Sequence, residues 1–299
     1  MTDQTLDSGQ PVARRFSRLS SPRRDLPSNP ANLFGILSGF PASGKTNFMM
    51  TCPGAFIINC DRKELPDKAP SAAAVWPTKD EHGSTIDVDG RPFLMEWPHV
   101  EAKFQVLKDL ADQKSDRPAV VVIDTIAGAL DLVRSHMMKL ASVTTWEGLG
   151  DGRRSWDTAF DKLVTPLVEL QSAGYGIYVL CHLANRVIKT GDTERSVIET
   201  TISNGLWKRL SWRADLSAAI VRELKPTTRQ ITENVGGRTR NRSITENLLI
   251  HTLTVDRPEL IAANIVRSPT RLPEVELNET TGWDSFTTAY SQSVTPQES

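Results

Sequence analysis

Five short apolar runs lie between residues 33 and 221, and longer segments of mixed polarity separate them. Several runs are rich in β-branched residues and do not alternate with polar ones, which is typical of strands covered on both faces of a parallel sheet. The runs are LFGILSG at 33–39, AFIINC at 55–60, AVVVID at 119–124, GIYVLCH at 176–182 and LSAAIV at 216–221. Strands in this arrangement predict an α/β fold.

Two of the intervening segments have helical periodicity. In the segment at 99–116, apolar residues recur at three- and four-residue steps, at Val100, Phe104, Leu107 and Ala111. The segment at 155–174 repeats this pattern at Trp156, Phe160, Leu163, Leu167 and Leu170. Here Ser155 is the predicted N-cap, Gly174 follows the end, and Pro166 predicts a bend or a break. Strands alternating with helices predict a mainly parallel central sheet flanked by helices.

The pattern changes after about residue 225. LLIHTLTVD and LIAANIV, joined across DRPE, predict a hairpin, and the segment NVGGRTRNR before them predicts a loop. A small C-terminal antiparallel extension is therefore expected. The first residues contain five arginines among Ser and Pro with little to bury, which predicts a flexible arm. The resulting division is a basic arm at 1–30, a core at 31–225, a β extension at 226–285 and a loose tail at 286–299.

Composition limits the function without naming it. The 299 residues carry 35 basic and 36 acidic side chains, so any nucleic-acid or membrane partner would have to meet a local patch. Three cysteines without paired spacing indicate buried thiols in a reducing compartment. The sequence has neither an apolar run of membrane-spanning length nor a signal-peptide pattern, which predicts a soluble cytoplasmic protein that does not bind membranes.

The segment GFPASGKT at 39–46 satisfies the pattern G-x-x-x-x-G-K-[ST] in full. Glycines let such a loop curl so that backbone N–H groups point at phosphate oxygens. Lys45 would reach the β- and γ-phosphates, and the Thr46 hydroxyl would bind Mg²⁺. The pattern predicts a site for ATP and Mg²⁺, with nucleotide contacts from Gly39, Phe40, Pro41, Ala42, Ser43, Gly44, Lys45, Thr46 and Asn47.

A second acidic element supports this site. The run PAVVVIDT is an apolar strand that ends in Asp124, the form of a Walker B strand whose carboxylate holds Mg²⁺ through water. The alternative is an aspartate that caps the following helix. Together with the loop at 39–46, the metal role is the favoured interpretation.

The order of these pieces resembles the core of RecA-like P-loop ATPases over roughly residues 30–225. In that family the strand after the P-loop helix ends in an acidic residue that activates the attacking water. Here AFIINCD ends in Asp61, whose side chain is one carbon shorter than that of the usual glutamate. Glu64 is therefore an alternative base, and Asp61 would then only form the turn before RKELPD. The family also has a polar γ-phosphate sensor, and YVLCHLANR, similar to a segment of DnaB-type helicases, puts His182 in that position.

A closer resemblance is to the short RecA-like proteins of the Sak type, a branch of the phage P-loop group that carries the AAA name. It rests on GFPASGKT after a short arm, VVVIDTIAG, Trp146 with DGRRSWDTAFDKLV, GYGIYVLCHL and LPEVELNETTGWDSFTTAY. The resemblance implies an ATPase that handles single-stranded DNA in recombination by annealing or strand exchange. It also implies a homo-oligomeric ring or filament, often with a single-strand-binding partner, in the host cytoplasm if phage-encoded.

In RecA-like proteins, two loops face the DNA channel, and the resemblance transfers them to 137–154 and 184–206. Their candidate phosphate contacts are Lys139, Arg153, Arg154, Arg186 and Lys189, and Trp146 is the candidate for stacking a base. Solvated loops with a tryptophan packed on the core are the alternative. The family usually completes its site with a basic finger from a neighbouring subunit, for which the candidates are Lys208, Arg209 and Arg213.

Two other functions remain open. One is a replicative helicase or helicase-loader ATPase that shares this core but translocates or remodels. The other is an ATP-binding switch or scaffold that hydrolyses ATP weakly, which the short side chain of Asp61 motivates.

Overall fold

The computed structural model describes residues 26–61, 96–111, 117–190, 193–235, 238–278 and 280–294. The strands in these ranges are β1 (Phe34–Gly39), β2 (Ala55–Asn59), β3 (Val120–Asp124), β4 (Gly176–Thr190), β5 (Thr193–Thr200), β6 (Leu216–Val235), β7 (Arg238–Thr254) and β8 (Val275–Leu277). The helices are α1 (Lys45–Met50), α2 (Trp97–Ala111), α3 (Ile126–Leu140), α4 (Gly152–Ser172), α5 (Asn204–Arg213), α6 (Pro258–Ala262) and α7 (Gly282–Val294).

β1, which precedes the glycine-rich loop, lies inside the sheet between β4 and β6. The order is β2-β3-β4-β1-β6-β7-β8; the first five strands are parallel, and β7 and β8 add antiparallel pairs. β5 pairs antiparallel with the outer part of β4. The predicted α/β fold with a mainly parallel sheet, flanking helices and an antiparallel C-terminal extension is confirmed. Because parallel strands share one carboxyl edge, the residues that follow β1, β2 and β3 meet there.

Alternate residues of the central strands face two separate apolar layers. Val121 and Ile123 of β3 pack with residues of α2, α3, α4 and α5, whereas Val120 and Val122 pack with residues of α1 and α7. Every residue of β3 is buried. Burial on both faces explains why the strands appear as continuous apolar runs in the sequence. Among the described residues, the helices are all too short or too polar to cross a membrane.

Three local predictions are wrong. The segment predicted as the second strand of a hairpin forms α6 and the turn after it, while β7 pairs with β6 over its whole length. Pro258 starts α6, a position that suits its fixed φ. Asp151, not Ser155, caps α4 by accepting from the N–H groups of Arg153 and Arg154.

The third correction concerns the predicted break at Pro166, because α4 is one helix of 21 residues that continues through this proline. The buried side chains of Leu163, Leu167 and Leu170 pack on both sides of the proline. This packing holds the helix together across the missing backbone hydrogen bond.

The three cysteines are free and buried, as predicted, and they provide a test of the core. Burial raises the pKa of Cys52 and of Cys181 to about 12 and raises that of Cys60 further. Because the thiolate is the reactive form, we expect alkylation of the native chain at pH 8 to be at least ~100-fold slower than after unfolding in guanidinium chloride. Iodoacetamide labelling followed by peptide mass spectrometry measures this, and rapid native labelling of any of the three would contradict it.

Candidate functional site

The glycine-rich loop joins β1 to α1 at the carboxyl edge of the sheet. Gly44, immediately before α1, has a φ of 90°, a left-handed conformation that glycine adopts without steric cost. A Cβ atom on Gly39 would lie 2.4 Å from Ser43 Oγ and 2.7 Å from the carbonyl oxygen of Ile220. The loop is therefore a tight curl that only glycine permits at these two positions, as an anion cradle requires.

The other loop residues predicted to contact nucleotide differ in exposure. Ser43 is buried, Phe40 is half-buried, and Pro41, Ala42 and Asn47 are exposed. Ala42 has a φ of 60°, which is uncommon for a residue other than glycine. This strain lies in the loop itself, where a non-glycine residue in this region is most often part of a functional geometry.

Lys45 lies with its amine inside the loop and is 4% exposed. Its Nζ donates hydrogen bonds to the carbonyl oxygens of Gly39 at 2.8 Å and Phe40 at 3.0 Å. The same nitrogen lies 3.2 Å from Nδ1 of His182. The amine is thus held by carbonyl acceptors that are weaker partners than a phosphate oxygen, because charge-assisted bonds to an anion are stronger.

Thr46 and Asp124 form a direct contact at the same edge. The Thr46 hydroxyl donates to Oδ2 of Asp124 at 2.5 Å. Asp124 is 6% exposed, and burial raises the pKa of its carboxyl above the ordinary value, although the hydrogen bond from Thr46 acts in the opposite direction. A hydroxyl beside a buried carboxylate is an oxygen donor pair of the kind that Mg²⁺ accepts.

The capping alternative for Asp124 does not hold. Thr125 is the N-cap of α3, and its hydroxyl oxygen accepts from the N–H of Gly128. Gly128 in turn packs so closely that a Cβ atom there would lie 2.6 Å from the carbonyl oxygen of Cys60. This close approach brings the start of α3 against the end of β2, next to Asp61.

Asp61, which follows β2, lies beside His182, the β4 residue that is level with the end of β1. Nε2 of His182 lies 3.3 Å from Oδ2 of Asp61, and the Thr125 hydroxyl donates to Oδ1 of Asp61 at 2.6 Å. Since His182 also lies beside Lys45, a continuous polar chain runs from Lys45 through His182 and Asp61 to Thr125. The structure therefore brings together Lys45, Thr46, Asp61, Asp124 and His182, whereas Glu64 lies outside the described residues.

His251 also contacts the loop, and the sequence reasoning missed it. Its Nδ1 donates to the carbonyl oxygen of Ser43 at 2.6 Å, and a Cβ atom on Gly44 would lie 2.8 Å from the same nitrogen. His251 is fixed in β7 between Arg222 of β6 and Leu277 of β8. The signal in the sequence was weak, because His251 lies far along the chain from Gly44 and belongs to no local motif.

We expect His251→Ala to weaken nucleotide binding roughly 2- to 12-fold, the range for the net loss of one hydrogen bond. The loop would lose the support of Ser43, while the groups around Asp61 stay in place, so KM should rise more than kcat falls. Titration with a fluorescent ADP and steady-state kinetics measure the two effects. His251→Gln, which keeps a donor, should recover part of the loss, and His136→Ala on α3 is the control. A fall in kcat with no change in KM or in ADP affinity in His251→Ala would contradict a positioning role.

The candidate DNA contacts of segment 137–154 lie in a different setting from the one predicted. Trp146 is buried, packs 4.8 Å from the ring of Trp156 and lies under the guanidinium of Arg134. Its ring is thus covered by these two side chains, which favours the packed-tryptophan alternative. Lys139 is exposed and pairs with Glu96. Arg153 and Arg154 are exposed in the first turn of α4.

Segment 184–206, predicted as a loop, is mostly a β-hairpin. β4 continues past His182, and Leu183 to Thr190 pair with β5. Arg186 pairs with Glu199, and Lys189 pairs with Glu194. Both basic residues are largely exposed, so they remain candidates for phosphate contacts, but on a paired ribbon that begins directly at the sensor position.

The three finger candidates lie on α5 with different partners. Arg209 pairs with Asp157 and Asp161 of α4 and lies over the ring of Phe160. Lys208 and Arg213 are exposed. Among the described residues, none of the three side chains takes part in the polar chain that runs from Lys45 to Thr125 of the same subunit.

A comparison with known protein families agrees with the glycine-rich loop and its sheet. The family described as AAA domain matches residues 31–243. No curated protein matches the chain. Among solved structures, the crystal structure of the RadB recombinase matches with a TM-score of 0.35 and 12% sequence identity, over 75% of this chain and 88% of that chain.

Proposed function

This chain belongs to the AAA domain family, and we propose that it is a RecA-like, Mg²⁺-dependent ATPase that binds single-stranded DNA and promotes annealing or strand exchange. The observation that carries the proposal is the polar chain from Lys45 through His182 to Asp61, beside the Thr46–Asp124 pair. It joins a phosphate-binding amine, a candidate sensor and a candidate base in one network.

The described residues fit ATP and Mg²⁺ by their donor set, an amine beside a hydroxyl and a carboxylate. Thr46 and Asp124 would hold the cation, and Lys45 would exchange the carbonyl oxygens of Gly39 and Phe40 for phosphate oxygens. The cation supplies charge neutralisation at the phosphates. Asp61 would accept a proton from the attacking water, and its hydrogen bond from Thr125 fixes the orientation of the carboxylate.

Coupling to DNA is proposed through His182, because it lies in the strand that continues into the β4–β5 hairpin. When Lys45 turns towards a phosphate, His182 loses its 3.2 Å contact with the Lys45 amine. Asp61 is then its remaining partner in the polar chain, so the position of the imidazole changes. The backbone of His182 accepts a hydrogen bond from Thr201 N–H at the base of the hairpin. A shift of His182 would thus reach Arg186 and Lys189, the proposed phosphate contacts.

The finer parts of the proposal follow the resemblance to phage Sak-type recombination ATPases. We propose that the protein is phage-encoded, acts in the host cytoplasm, and assembles as a ring or filament, often with a single-strand-binding protein. Arg213 would act in trans, because Arg209 is already paired with two aspartates and an arginine presents more donors to a phosphoryl group than Lys208 does.

The test is ATP turnover with and without oligo-dT, together with DNA affinity with and without a non-hydrolysable ATP analogue. We expect oligo-dT to stimulate turnover and the analogue to tighten DNA binding by roughly 5- to 150-fold, the usual range of coupling between two sites. Turnover indifferent to DNA, with annealing intact in Lys45→Ala, would contradict the mechanism. Directional unwinding would instead favour the helicase class, and ATP-dependent assembly without turnover would favour a switch.

A further inference from the structure

A cavity of about 270 Å³ lies between the last turns of α5 and the segment that follows α6. Its lining includes Trp207, Lys208, Trp212, Asn264 and Arg267. This pocket, called the Trp212 pocket below, is separate from the glycine-rich loop. β6 begins at Leu216 beside Gly35, at the start of β1, whereas the loop follows the end of β1. The two features therefore lie towards opposite ends of the parallel strands.

Trp212 is the most unusual feature of the pocket, because its side chain is 83% exposed. The apolar face of α5 is buried without it, through Leu206, Trp207 and Leu210. Trp207, five residues earlier, is 7% exposed and donates its indole N–H to the carbonyl oxygen of Asn264. Trp212 thus contributes little to the core, and its flat face is available next to a cavity.

The rim of the pocket is cationic. Lys208 and Arg267 line the pocket and are exposed, and no salt bridge joins either of them to a carboxylate within the described ranges. Arg209 on the same helix behaves differently, since it is held by Asp157 and Asp161. Two positive charges that have no acidic partner among the described residues, beside an exposed aromatic ring, favour a ligand that carries both negative charge and flat rings.

The part of the lining that comes from Ser217, Ile265 and Arg267 is fixed by hydrogen bonds. Ser217 and Arg267 exchange two backbone hydrogen bonds of 2.8 Å, and the Ser217 hydroxyl donates to the carbonyl oxygen of Ile265. Ile265 and Val266 are buried against Leu183 and Ala219. The cavity is therefore formed before any ligand arrives, which lowers the entropic cost of binding.

We propose that the Trp212 pocket binds one base of single-stranded DNA, with the base stacked on Trp212 and the flanking phosphates on Lys208 and Arg267. The volume is at the lower limit for small-ligand pockets, roughly 300–1,000 Å³, so it suits one base rather than a larger ligand. Every base has a π-face, so stacking on tryptophan combined with cations needs no particular sequence. That the bound base belongs to single-stranded DNA rests on the proposed function.

α5 links this pocket to the candidate sensor. Ser203 caps the helix, and the N–H of Thr201, two residues earlier, donates to the carbonyl oxygen of His182. The ten residues of α5 span about 15 Å at 1.5 Å per residue, and Trp212 lies in the last turn. A DNA strand bound at both the β4–β5 hairpin and the Trp212 pocket would therefore contact both ends of the continuous segment formed by β5 and α5.

The experiment measures binding of fluorescein-labelled oligo-dT to the full-length chain by anisotropy. Trp212→Ala should weaken binding roughly 5- to 100-fold, the loss expected for one stacked base, and Trp212→Phe should keep most of the affinity. Arg267→Ala should reduce the slope of log affinity against log salt by about 0.7, as one lost phosphate contact predicts. Leu224→Ala, at another exposed apolar residue, and Lys162→Ala are the controls and should bind as the wild type does.

Three results would overturn the proposal. If wild type binds oligo-dT and all the pocket variants bind it equally well, the pocket is wrong and the proposed function stands. If wild type does not bind oligo-dT, both fail. If Trp212→Ala changes the mass of the assembly in light scattering, or if poly-glutamate competes as well as oligo-dT, the pocket binds protein instead. In support, oligo-dT should quench the tryptophan fluorescence of wild type more than that of Trp212→Phe.

Discussion

Lys45→Ala is expected to weaken ATP binding by roughly 30- to 5,000-fold, the effect of removing one partner from a buried, hydrogen-bonded charge pair. The Lys45 amine is 4% exposed and lies inside the loop, bonded to the carbonyl oxygens of Gly39 and Phe40. No other amine lies within hydrogen-bonding distance of these two oxygens among the described residues. ATP turnover should fall to background, and calorimetric titration with ATP and Mg²⁺ measures the loss of affinity.

The controls separate lost binding from lost folding. Lys162→Ala removes a lysine that pairs only loosely with Glu101 on the helical surface, so it should leave ATP affinity unchanged. Lys45→Arg keeps the charge, but the wider guanidinium does not fit a site where the amine has carbonyl oxygens at 2.8 and 3.0 Å. We expect it to bind ATP poorly as well. Wild-type ATP affinity in Lys45→Ala, with an unchanged unfolding midpoint, would exclude the loop as the nucleotide site.

Much of the nucleotide site could be predicted because its signals are local. The spacing of Gly39, Gly44, Lys45 and Thr46 determines a loop, and the run ending in Asp124 determines a buried strand. Parallel strands then bring their carboxyl ends together without further information, which places Asp61, Asp124 and His182 beside Lys45. Asp61 could be found for this reason even though its side chain is shorter than the usual one.

The features that sequence reasoning missed depend on contacts between distant segments. For Trp146 the sequence left base stacking and packing on the core open; Trp156 of α4 and Arg134 of α3 cover the ring, and neither contact has a signature in the sequence around 146. His251 reaches Ser43 only because β6 and β7 pair over their whole length. The hairpin predicted at 248–266 had the right antiparallel character but the wrong partner, because short apolar runs are equally compatible with strand and helix.

Asp61→Asn is expected to lower ATP turnover by roughly 100- to 10,000-fold, the usual contribution of a positioned general base. Asparagine has nearly the same shape, so its Oδ1 can still accept from the Thr125 hydroxyl and the fold should be preserved. The carboxylate beside Nε2 of His182 is lost, however, and with it the proton acceptor in the chain from Lys45. ATP affinity should change by less than about threefold, because Asp61 contacts His182 and Thr125 rather than the loop. Single-turnover hydrolysis and calorimetric titration measure the two quantities.

The decisive comparison is with the other candidate base. Glu64→Gln should leave single-turnover hydrolysis near the wild-type rate if Asp61 accepts the proton, and Asp61→Glu should retain hydrolysis because a longer carboxylate keeps the acceptor. A large loss in Glu64→Gln with none in Asp61→Asn would reverse the assignment. If neither variant loses turnover because wild type itself hydrolyses ATP only at background, the hydrogen bond from Thr125 and the contact with His182 hold Asp61 as a structural anion. The chain would then be an ATP-binding switch. Nucleotide binding would change its conformation through Lys45 and His182, without hydrolysis of ATP.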